Sequence, residues 1–197
     1  MRARLLLTLV ALPCPGETVG AVPHQLIGSR LALEVEKTGL MSGKTHVFQF
    51  ERYGGRLDYD EARPENSRVT LRIESASIVC RDAWLSGKDL KKVQVHAENE
   101  MLAVKQHPEI LFSSTRITKK SQTLFEVAGD LTIRGLARPV TVLVEIVPES
   151  GGRIGFKGQA VVRLTDYGLK PPSALLGAIG TRDEMRVSFE LAAARAQ

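Results

Sequence analysis

Residues 108–148 read PEILFSSTRITKKSQTLFEVAGDLTIRGLARPVTVLVEIVP, and this stretch decides the fold. Ile110 and Phe112 open a first apolar/polar alternation, and Lys119-Lys120-Ser121-Gln122 turns the chain. A second segment sets Phe125, Val127, Leu131 and Ile133 against Glu126, Ala128, Asp130 and Thr132. Gly135 and Pro139 punctuate the next turn, and Val142, Val144 and Ile146 then alternate with Thr141, Leu143 and Glu145. Period-two alternation bounded by Gly and Pro predicts three antiparallel strands, each with one buried and one solvated face. Gly129 interrupts the middle one, where a sheet bulges or bends sharply, as a closing sheet must.

The same alternation recurs outward from this centre. Residues 22–28 read as a lead-in, and Ser29–Glu36 as a strand presenting Leu31, Leu33 and Val35. His46, Phe48 and Phe50 share one face of the next strand, which Gly54-Gly55 closes. Arg56–Asp60 reads as a short edge strand, and Arg68–Glu74 as a strand running through Ser75-Ala76-Ser77 to Ile78. From Ser86 the period changes: Leu90, Val93, Ala97, Met101 and Val104 recur at helical spacing, with Ser86 and Asp89 placed as a capping box. This predicts one amphipathic helix ending before Pro108. Phe156–Leu164 and Glu184–Leu191 are the last strands, separated by a loop over 165–182, with residues 192–197 frayed. The sum is a mainly all-β chain: eight to nine antiparallel strands and one long α-helix. Such chains resolve their edges by closing into a barrel or by pairing two sheets.

Length and composition narrow the function. A chain of 197 residues suits a single domain, here expected over 22–197. Arg2 and Arg4, the apolar run Leu5–Leu12 and Val19-Gly20-Ala21 predict a cleaved secretory signal over residues 1–21. Pro13 before Cys14 argues against a lipidation box. Without that segment the formal charge falls from +5 to +4, and the cations are interspersed with acids, which argues against nucleic-acid binding. Only Cys80 remains, so no intramolecular disulfide can form. No later stretch is apolar enough for a transmembrane segment.

The sequence also resembles the YceI-like family of exported lipocalin-like proteins. The resemblance rests on Lys37-Thr38-Gly39-Leu40 with His46-Val47-Phe48-Gln49-Phe50, and on Pro108-Glu109-Ile110-Leu111-Phe112-Ser113-Ser114-Thr115. Gly129-Asp130-Leu131-Thr132-Ile133-Arg134-Gly135 with Arg138-Pro139-Val140, and Leu164-Thr165-Asp166-Tyr167-Gly168-Leu169, complete it. It implies an eight-stranded lipocalin-like barrel around an apolar tunnel for a polyisoprenoid or similar long-chain amphiphile, in the bacterial envelope. The stretch between Asp82 and His107 is longer than is usual in the family, and that helix would border the pocket mouth.

From strand phase alone, the walls of such a cavity would be His46, Phe48, Phe50, Leu71, Phe112, Phe125, Leu131, Val142, Phe156, Val187 and Phe189. His46 points inward, where it serves a ligand head group or a quinone carbonyl, or simply satisfies itself inside the barrel. The histidines His24, His46, His96 and His107 form no short ligand pair, so no metal site is expected. No Gly-x-Ser-x-Gly elbow, paired carboxylates or phosphate-cradling glycine loop appears, so catalysis and a cofactor are not expected. Cys80 reads as a small buried side chain. The helix stripe with Trp84 and Leu85 reads as core rather than as a membrane face, and Leu175-Leu176 with Ile179 as a pocket lid or an ordinary packed loop. The expected function is a periplasmic or secreted binding protein for an isoprenoid lipid. A quinone-carrying envelope protein that serves a redox partner and a filled, stress-related structural module are the alternatives, and a homodimer stays open.

Overall fold

The computed structural model describes residues 21–151 and 153–196; the signal expected over 1–21 lies, Ala21 apart, outside them. The strands are β1 (Val22–Gly39), β2 (Thr45–Phe50), β3 (Tyr53–Tyr59), β4 (Arg68–Glu74), β5 (Ile78–Cys80), β6 (Glu109–Lys119), β7 (Leu124–Ile133), β8 (Leu136–Val147), β9 (Ile154–Arg163), β10 (Ser173–Ala174) and β11 (Ile179–Arg195). Eight of them run in the order β1-β3-β4-β6-β7-β8-β9-β11, and β11 pairs back onto β1. The sheet is therefore a closed antiparallel barrel, the one of the two arrangements open to the alternation that the family resemblance implies, and closure removes the long exposed edges.

The seam is the longest ladder. β1 and β11 pair from His24↔Arg195 to Gly39↔Ile179, with bulges near Ser29 and Glu36. On its other side β1 carries β3 along its first residues and β2 along its last, and β2 passes on to the three-residue β5. Between those two ladders the strands part, and the Tyr53 ring lies across Gly28, where a Cβ would fall 1.8 Å from it.

Several expectations are corrected here. Residues 22–28 belong to β1, since their neighbours Tyr59 to Gly55 supply the ladder. The segment 53–59 is an interior stave, and Gly54-Gly55 sit inside it; Gly55 allows the Thr70 carbonyl to approach where a Cβ would clash. Residues 192–195 are paired with β1, and Ala193 is fully buried. The turn after β7 is Arg134-Gly135 alone, both at positive φ, as a two-residue hairpin demands. Pro139 lies within β8, opposite Asp130, on a part of the strand that β9 does not pair. Its missing N–H costs nothing there.

The bend foreseen at Gly129 is real, but the extra residue falls on the partner strand, in β6 between Ser114 and Arg116. A Cβ on Gly129 would meet the Ser113 carbonyl oxygen at 2.4 Å, so β6 can fold in close only because the glycine is bare. The helix α1 (Gly87–His96) starts as expected, with the Asp89 N–H donating to the Ser86 hydroxyl at 3.2 Å. It is shorter than the periodicity suggested. It widens to a π-turn over Ala97–Met101, and Ala103, in the left-handed region, ends it.

Candidate functional site

Within the barrel lies an apolar space in two chambers. The first, about 420 Å³, is walled by β1, β2, β11 and the inner face of α1 and its π-turn, through Val93, Ala97, Met101 and Leu102. The second, about 170 Å³, continues between β3, β4, β6, β7, β8 and β9, and no charged side chain lines it. Leu31, Ile73, Leu131, Val162 and Val187 line both and form the junction.

Every residue placed inward from strand phase reaches this space. His46, Phe48 and Phe50 line the first chamber, and Leu131 and Val187 the junction. Leu71, Phe112, Phe125, Val142, Phe156 and Phe189 line the second. Inward residues such as Leu71, Phe112, Val142 and Phe189 stay half-accessible, because the lumen beside them is open. Two glycines keep it so. The Phe189 ring rests where a Cβ of Gly158 would be, 2.2 Å away, and the Phe112 ring lies similarly against Gly129. The small residues thus make room by letting aromatic rings lie flat along the wall.

Polar groups are few and concentrated in the first chamber. The His46 Nδ1–H donates to Asp82 Oδ2, and Asp82 Oδ1 accepts the Val47 N–H at 2.7 Å. The Trp84 ring covers the imidazole at 5.3 Å, tilted by 33°, while its indole N–H donates to the Thr45 carbonyl at 3.0 Å. With Nδ1 committed to the carboxylate, Nε2 is the ring nitrogen left to meet a ligand. Nε2 makes no hydrogen bond among the described residues, and His46 lines the first chamber. Lys37 lines the same chamber; burial lowers its pKa, and the nearby Asp82 charge opposes that shift.

Two further buried groups hold their protons. Burial pushes the Cys80 thiol up to about 11, so it stays protonated at neutral pH. Burial pushes the Tyr167 hydroxyl up to about 12, and it donates to the Leu131 carbonyl at 3.2 Å. The helix stripe packs on the core through Leu90, Val93 and Met101. In the sequence Lys37 stands out only within the family motif and Trp84 only beside the helix stripe, and Asp82 only bounds that stretch. Asp82 lies 36 residues from His46, and no spacing announces the pair.

The profile of the YceI-like domain matches residues 27–193. The chain belongs to the YceI-like family. A UPF0312 protein of Pseudomonas savastanoi pv. phaseolicola is 29% identical over 150 residues, 72% of this YceI-like chain and 70% of its own length. A UPF0312 protein of Pseudomonas putida W619 is 31% identical over 130 residues, 64% of each. Burkholderia cenocepacia BcnA has a similar crystal structure, with a TM-score of 0.66 at 20% identity over 84% of this chain and 96% of BcnA. A polyisoprenoid binding domain from Saccharophagus degradans, implicated in plant cell wall breakdown, has a TM-score of 0.62 at 13% identity, covering 89% and 99%. At these identities the structures share the YceI-like fold.

Proposed function

We propose that this protein is an exported, non-catalytic carrier that holds a polyisoprenoid or similar long-chain amphiphile in the barrel. The chain occupies both chambers, and the head group meets His46 Nε2 and Lys37. The observation that carries this reading is the joined, unfilled apolar lumen, whose first chamber alone has the volume of a small-molecule site. Each buried methylene is worth about 0.8 kcal/mol. Four or five isoprene units therefore offset an association cost of roughly 4–15 kcal/mol with a micromolar margin. Such a ligand needs few polar anchors, which matches a lumen with so few. The polyisoprenoid binding domain of S. degradans shares the fold and supports the ligand class.

A periplasmic or secreted location rests on the basic and apolar residues 2–12 and the small residues 19–21. Native mass spectrometry of protein purified from its own envelope tests the reading. A retained polyprenyl lipid is the expected result; protein with no retained small molecule, or a polar one, overturns it. A retained quinone would keep the cavity but move the function to the redox alternative.

A further inference from the structure

The hairpin β10–β11 pairs Ser173 with Gly180 and Ala174 with Ile179, and its apex is Leu175-Leu176-Gly177. All three apex residues have positive φ, at 51°, 54° and 91°. That region is disfavoured for side-chain-bearing residues, and here it turns both leucines outward. Leu175 is 68% exposed and Leu176 fully exposed, so these two side chains neither pack on the barrel nor lid the chamber, whereas the half-buried Ile179 lines it. Beside it stands the tip of the β1–β2 hairpin, where Leu40 is 76% exposed. The Leu40 N–H donates to the Ala178 carbonyl at 2.9 Å, so the two tips are one unit.

The two segments that build this end carry only cations, with Glu36 and Asp183 as the flanking acids. Residues 37–45 and 168–182 contain Lys37, Lys44, Lys170 and Arg182 and no acid. Arg182 is paired with Glu36; Lys44, whose ammonium lies 6.0 Å from the centre of the Trp84 ring, and Lys170 make no ion pair among the described residues, and both are exposed. The same segments wall the first chamber through Lys37, Ser173, Ala174 and Ile179. Exposed leucines with exposed cations in the same two segments are the chemistry of a segment that enters the interface of an anionic bilayer. A protein partner of ordinary kind would face a narrow, protruding tip with little area to bury.

We propose that this end of the barrel docks on the surface of an anionic lipid bilayer. Leu40, Leu175 and Leu176 enter the interface, and Lys44 and Lys170 lie over the head groups. The inference stands on the tip itself and not on what the lumen holds; it places the first chamber against the bilayer.

The test is flotation of the protein, purified from its own envelope, with vesicles of phosphatidylethanolamine and phosphatidylglycerol. The double variant L175S/L176S should reduce the bound fraction at least fivefold with unchanged far-UV circular dichroism, both side chains being solvated already. The pair K44E/K170E should reduce it on these vesicles, and high salt should weaken wild-type binding. Failure of the wild type to float, or equal flotation of L175S/L176S, overturns the proposal. So does a drop in oligomer mass on size exclusion for L175S/L176S, which would mean that the leucines cover a second copy of the chain.

Discussion

His46 donates from Nδ1 to the carboxylate of Asp82, whose side chain has no exposed surface. The carboxylate has its other oxygen on the Val47 N–H, and the Cys80 thiol and the Lys37 ammonium also lie near it. Removing one partner from such a pair strands the other, at a typical cost of about 3–5 kcal/mol. We therefore expect His46→Ala to keep its far-UV circular dichroism in buffer but to unfold at much lower urea. The double variant H46A/D82A should recover part of the loss, with a coupling of about 1–3 kcal/mol in a double-mutant cycle. Additive effects would show that the two residues act independently.

Gly129 and Ser113 make the tightest bend in the wall. A methyl on Gly129 would press on the Ser113 carbonyl oxygen, a backbone atom that cannot swing away, as well as on the Phe112 ring. Gly129→Ala is expected to cost about 1–3 kcal/mol by chemical denaturation. Adding Phe112→Leu should restore only the smaller share that the ring contributes. Full rescue by that second change would place the clash in the side chain and not in the bend.

Strand phase was legible wherever large apolar residues alternate with polar ones, as in β6 to β9, and it set the cavity walls. It failed where the inward residue is polar or small. His24, buried at the start of β1, and Ala193, buried near the end of β11, look like lead-in and fray in the sequence. Pro139 reads as a turn because its tolerance depends on β9 leaving that part of β8 unpaired. The π-turn at Ala97–Met101 left no mark in the sequence, since the helical spacing runs on past it. Of the polar site, only His46 was visible, because Asp82 reaches it through the three-residue strand β5, which precedes it and pairs with β2.

Alkaline stability follows from Cys80 and Tyr167. Burial pushes the Cys80 thiol up to about 11 and the Tyr167 hydroxyl up to about 12. Both acids keep their protons to higher pH in the folded state than in the unfolded one. Between the two values the native state binds more protons, so stability falls as pH rises. It is whole below the unfolded thiol value of about 9 and declines from there toward about 11. We expect urea midpoints of the wild type to fall between about pH 9 and about pH 10.5, and those of Cys80→Ala to fall less steeply. Parallel profiles would mean that the thiol titrates alike in both states. In the folded protein at neutral pH, Cys80 should resist thiol reagents, being both buried and protonated.

Leu131 stands at the junction of the two chambers and lines both. Its carbonyl is held by the Tyr167 hydroxyl, a backbone contact that a substitution leaves in place. A larger side chain here enters open space rather than a packed core, so the usual overpacking cost of about 1–3 kcal/mol should largely vanish. We expect Leu131→Trp to unfold within about 1.5 kcal/mol of the wild type and, on the proposed carrier function, to lose most of the bound lipid, as native mass spectrometry would show. Phe50→Trp, confined to the first chamber, should remove less. If Leu131→Trp keeps its full complement, the ligand does not thread the junction, and the two chambers serve it separately. If the variant instead loses several kcal/mol, the junction is packed tightly enough that no chain passes through it.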